Sequence, residues 1–211
     1  MTDTDPQEVR PAPSRRAEFI VIGVVALLLG VVAAMILMPR WAGDAPALAS
    51  ASGPGGPFTL TDTKGRTVTD RTLLGKPYAI FFVFTRCPDI CPTTLSRMAQ
   101  LRKQFGAEGD KFNIVFVSVD PGHDKPSDIG HYLTLFDTPI IGLTGTEAQI
   151  KQITDAYGVY FAKVPVAGGD YTIDHMAGIM LFDSRGRYVE MMDPAEPAAT
   201  SIGRLRELIR A

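Results

Sequence analysis

The seven residues Tyr78-Ala79-Ile80-Phe81-Phe82-Val83-Phe84 constrain this chain more than any other segment. A continuous apolar run of that length predicts a strand buried on both faces, and such a strand needs cover above and below. It leads directly into Thr85-Arg86-Cys87-Pro88-Asp89-Ile90-Cys91-Pro92. From Thr93 to Phe105, Leu95, Met98, Leu101 and Phe105 then recur at helical spacing. The only two cysteines therefore lie at a strand-to-helix turn. With Pro92 read as the first helical residue, Cys91 falls near the N-cap and Cys87 in the loop above it. The helix N-terminus and Arg86 should both lower the thiol pKa values there.

The remaining elements follow from similar signals. Phe58-Thr59-Leu60 and Thr67-Val68-Thr69, joined across Asp62-Thr63-Lys64-Gly65, predict a hairpin. Phe112 to Val119 reads as a second buried strand, ending at Asp120-Pro121. Helices are expected over 127–136 and 147–157. A late hairpin pairs Gly178–Phe182 with Arg187–Met192, and a last helix spans 198–209. Strands alternating with helices, closed by a hairpin and a helix, indicate a layered α/β domain whose mixed sheet is flanked by helices in a thioredoxin-like arrangement. No internal repeat is present.

A chain of 211 residues with net charge −2 fits one core domain and lacks the basic stripe of a nucleic-acid partner. Phe19 to Met38 is a charge-free apolar run of twenty residues, about 30 Å as a helix, which matches a bilayer core. Arg10, Arg15 and Arg16 precede it and only Arg40 closely follows. This predicts a single-pass anchor with a cytoplasmic N-terminus and a periplasmic or extracytoplasmic domain. Ala47-Leu48-Ala49 resembles a signal cleavage site, but the run is longer than a signal core and ends well before it. The expected plan is a tail at 1–18, a transmembrane helix at 19–38, an Ala/Gly/Pro/Ser linker at 39–57, and the domain at 58–211.

A disulfide between cysteines four positions apart would close a very small loop, so a structural staple explains the pair poorly. Three intervening residues, not two, separate the pair from thioredoxin-type dithiols. Phe84 stands where a peroxiredoxin-type cysteine would have its threonine. A closed zinc site would need a second cysteine pair. A soft metal held by two thiolates still lacks a donor, and thiolate with imidazole suits copper, as Cu(I) or Cu(II). His175 in Thr172-Ile173-Asp174-His175-Met176 is the preferred third ligand, read as a loop residue before the late hairpin. Asp120, Asp174 and Arg86 are candidates for the surrounding shell. His123, in a turn, and His131, on a helix, are expected to be solvent-exposed, and Met176 to be packing.

These residues closely resemble the Sco/SenC family of copper-binding assembly factors for cytochrome c oxidase. The resemblance covers about 58–210 and rests on Phe84-Thr85-Arg86-Cys87-Pro88-Asp89-Ile90-Cys91-Pro92, Val117-Ser118-Val119-Asp120-Pro121 with Asp124-x-Pro126, and Asp174-His175. It implies copper binding by Cys87, Cys91 and His175. It further implies delivery of copper to the CuA-bearing oxidase subunit, or reduction of that subunit's cysteines by the redox-active pair. The expected activity is that of a metallochaperone, with thiol–disulfide oxidoreductase as the alternative. Another copper chaperone or a thiol reductant would be a further partner. Two departures stand out: Arg86 replaces a histidine common in the family, and Gly122-His123 replaces an acidic-arginine pair.

Overall fold

The computed structural model describes residues 28–30, which are helical, and residues 53–210. The expected tail, nearly all of the expected transmembrane helix and most of the linker lie outside the described residues. Among the described residues, no helix is long and apolar enough to cross a membrane.

The strands are β1 (Thr59–Asp62), β2 (Thr67–Thr69), β3 (Tyr78–Val83), β4 (Asn113–Ser118), β5 (Ile141–Thr144), β6 (Phe161–Pro165), β7 (Tyr171–His175), β8 (Ile179–Phe182) and β9 (Tyr188–Met192). The helices are α1 (Ile90–Gln104), α2 (Pro126–Leu133), α3 (Glu147–Tyr157) and α4 (Ala198–Arg210). Seven strands form one mixed sheet in the order β2-β1-β5-β4-β3-β8-β9. The β3–β4 and β4–β5 pairs are parallel, and the others are antiparallel.

All six residues of β3 are buried, and successive side chains alternate between the two faces of the sheet. Phe81 meets its register partner Phe116 edge-on at 6.5 Å, and Phe116 in turn meets Tyr132 of α2 at 6.0 Å. Phe82 points to the opposite face and meets Tyr157 of α3 at 5.7 Å. Helices thus cover both faces, as the apolar run requires. Tyr78 stacks on Phe182 at 4.9 Å and 4°, which fixes β8 against β3.

Local chemistry sets the turns. Thr146 Oγ1 accepts from Gln149 N at 3.3 Å while Gln149 Oε1 accepts from Thr146 N at 2.8 Å, a capping box that starts α3. Gly158, at φ 66°, ends it. The β1–β2 and β8–β9 loops share the sequence Asp-x-x-Gly-Arg. In both, the aspartate Oδ1 accepts two backbone N–H groups at 2.9 Å, and Oδ2 accepts from the arginine Nε at 2.7 Å. Asp62 and Asp183 are the buried hubs of these loops.

Some expectations need revision. β5 was not expected, nor was the β6–β7 hairpin, which forms a separate two-stranded sheet. The glycine-rich residues 53–57, assigned to the linker by composition, lie on the domain: Gly55 N donates to Ala156 O at 3.0 Å and Gln152 Nε2 to Pro57 O at 3.3 Å. Gly55 has φ 130°, and a Cβ there would approach the Phe182 ring to 3.2 Å.

Candidate metal centre

β3 ends at Val83, and the chain passes through Thr85 and Arg86 to reach Cys87. The helix begins at Ile90, so Cys91 is its second residue and Pro92 its third, in place of the expected cap and first positions. Proline is tolerated there because the first four helical N–H groups have no intrahelical partner. Asp124 secures the loop. Its buried carboxylate accepts from Thr85 N at 3.0 Å, Thr85 Oγ1 at 2.5 Å and Ser118 Oγ at 2.5 Å. The Asp120–Pro126 segment is thereby joined to the residue that leads into the cysteines.

Both cysteines are free thiols, and both are buried. Burial, then a hydrogen bond with Cys87, pushes the Cys91 thiol pKa up rather than down. The expected lowering fails because burial penalises the thiolate more than the first turn of the helix favours it. Without metal the proton stays on Cys91 Sγ, and a bound cation would displace it.

His175 is the last residue of β7, not a loop residue. Its Nδ1 lies 3.1 Å from the Met176 carbonyl oxygen, which can only accept, so Nδ1 carries the proton. Nε2 is left unprotonated and can accept from the Cys91 thiol, whose Sγ lies 3.5 Å away. Phe84 meets the imidazole edge-on at 5.7 Å and 86°. The two Sγ atoms and the imidazole nitrogen all lie within 4.8 Å of one another, and these residues form the one such group among the described residues. Two sulfurs and one nitrogen suit copper better than a hard cation.

The three surrounding candidates are placed differently from expectation. Strand alternation turns Tyr171, Ile173 and His175 to one side and the exposed Asp174 to the other. Asp174 therefore cannot orient the imidazole, a role taken by the Met176 carbonyl. Asp120 is fully buried but accepts from Tyr171 Oη at 2.6 Å, and its Oδ2 lies 3.0 Å from His123 Nδ1. Arg86 donates through Nη1 to Asp170 at 2.8 Å and through Nη2 to Asp120 at 3.5 Å. Hydrogen bonding to Asp170 raises its pKa, and the same bond lowers that of Asp170. His123 is exposed as expected, although its ring also joins this cluster; His131 is exposed and Met176 packs against the core, both as expected.

The alternation of Tyr171 to His175 and the Gly168-Gly169 pair before it were the available signals for this hairpin. Nothing in the sequence pattern pointed to Phe84 or the Met176 carbonyl.

The SCO1/SenC family model matches residues 47–210. Protein sco1 of Schizosaccharomyces pombe is 37% identical over 156 residues, covering 71% of this chain and 59% of that protein. Protein SenC of Rhodobacter capsulatus is 32% identical over 198 residues, covering 90% of each. The chain spans little more than half the length of the first fungal relatives it matches. Among solved structures, Bradyrhizobium japonicum ScoI with copper bound shares 42% identity at a TM-score of 0.70, covering 74% of this chain and 99% of that one. The fold is thioredoxin-like.

Proposed function

The chain belongs to the SCO1/SenC family, and from that premise we propose that it is a membrane-anchored copper metallochaperone serving the CuA site of cytochrome c oxidase. The observation that carries this reading is the convergence of Cys87 Sγ, Cys91 Sγ and an imidazole nitrogen of His175 within 4.8 Å of one another. A relative at 42% identity was solved with copper bound, which supports copper as the cargo.

Cys87 and Cys91 act as thiolate donors and His175 as the imidazole donor. Met176 and Phe84 hold the ring so that Nε2 faces the sulfurs. The loop between the cysteines, Pro88-Asp89-Ile90, is exposed, so an incoming ligand has a side from which to approach. Handover proceeds by ligand exchange, with a partner donor replacing one of the three at a time. The apolar run at 19–38 anchors the domain on the periplasmic or extracytoplasmic side. The linker that precedes residue 53 keeps the domain at high effective concentration beside a membrane-bound recipient.

The closeness of the two free thiols supports a second reading. Oxidation of Cys87 and Cys91 to a disulfide would release two protons and two electrons, reducing one disulfide of an exported partner to two thiols. His175→Ala separates the readings. Copper delivery predicts that Cu(I) binding, titrated against a competing chelator, is stoichiometric in the native protein and falls at least about tenfold in His175→Ala. Dithiol exchange should persist in that variant. Undiminished Cu(I) affinity in His175→Ala would remove the three-donor account.

A further inference from the structure

The third donor stands on an arm. No strand ladder joins β6–β7 to the seven-stranded sheet among the described residues. Apart from the Cys91–His175 contact, its polar ties to the cysteine and Asp-Pro loops converge on one cluster. Arg86, adjacent to Cys87, reaches Asp170 at 2.8 Å and the Tyr171 carbonyl at 3.4 Å. The Tyr171 hydroxyl donates to the buried Asp120 at 2.6 Å, and the Arg86 guanidinium lies 5.5 Å from the Tyr171 ring centroid. A fully buried carboxylate is costly without a cation beside it, so removing Arg86 should loosen the whole cluster.

Arg86 and His123 touch each other here. Arg86 Nη2 lies 2.9 Å from His123 Nδ1. The contact sets one permanent cation and one imidazole against Asp120. Through its single Nδ1, the imidazole can accept from Arg86 or donate to Asp120, but not both. The guanidinium is therefore the constant member of the pair.

We propose that Arg86 is a positioning residue which, with Asp120 and Tyr171, latches the His175 arm against the cysteine loop, and that His123 shares its place against Asp120. Copper binding, the second readout below, rests on the proposed function; the first does not. The test uses the detergent-solubilised, metal-free full-length protein. Amide hydrogen exchange is followed at residues 171–176 in the native chain, Arg86→Gln, Arg86→His and the double variant Arg86→His with His123→Arg. Exchange in the arm should rise about tenfold in both single variants, while exchange in β3 and β4 stays unchanged. Cu(I) affinity should fall about tenfold alongside it. The double variant should return both to within about threefold of native.

Unchanged arm exchange, equal acceleration in the core strands, or no recovery in the double variant would each overturn the latch. If the native chain binds no copper yet the exchange pattern holds, the latch stands and the copper reading falls.

Discussion

His175 Nδ1 lies 3.1 Å from the carbonyl oxygen of Met176, and that contact determines which ring nitrogen faces the thiols. The neutral ring should therefore be the Nδ1–H tautomer. Nitrogen-15 spectra of histidine-labelled, metal-free protein read this directly. A predominantly Nε2–H ring would show that the donor is not pre-oriented.

Asp124 holds the cysteine loop through two hydrogen bonds from Thr85, and a third from Ser118 ties the same buried carboxylate to β4. Asp124→Ala leaves those donors without their acceptor and should cost about 3 kcal/mol in urea unfolding. It should also weaken Cu(I) binding, because Thr85 no longer fixes the path into Cys87. A loss of stability with full copper affinity would show that the loop holds its shape without this tie.

Legibility in the sequence followed burial. The run Tyr78–Phe84 gave its strand and the two-sided cover because an apolar run in a parallel sheet has few alternatives. The β6–β7 hairpin escaped because β6 is largely exposed and carries no apolar face strong enough to register. His175 was chosen as a candidate donor from its chemistry, and the structure brings it beside the two thiols, but the groups around its ring differ from those expected. Asp174 is adjacent in sequence but on the wrong side of a strand, and the Met176 carbonyl is a backbone group that no residue type announces. The Cys91 shift ran opposite to expectation because helix position was visible in the sequence and depth of burial was not.

Gly142 on β5 has no room for a side chain. A Cβ there would lie 2.6 Å from both Ile129 Cγ2 and Leu133 Cδ1 of α2. Gly142→Ala should lower unfolding stability by about 1–3 kcal/mol through overpacking. An unchanged urea midpoint would mean that α2 moves freely away from the sheet.

The paired loops predict an acid limb. Burial raises Asp62 and Asp183, but hydrogen bonds from Arg66 and Arg187 outweigh it and hold both below the usual carboxylate range. A group whose folded pKa is lowered contributes stability present above its unfolded value, about 4, and lost as pH falls through the folded value. Stability should thus be level from neutrality to about pH 4 and decline below it. The double variant Asp62→Asn with Asp183→Asn should be less stable at neutral pH and decline less steeply in acid. An unchanged acid limb would remove these loops from the pH response.

The central claim is that Cys87, Cys91 and His175 together hold copper. X-ray absorption at the copper edge of the Cu(I)-loaded protein tests it most directly. The account predicts a three-coordinate shell of two sulfurs and one nitrogen that loses its nitrogen in His175→Ala. A native shell of sulfur alone, or one unchanged by that substitution, would contradict it.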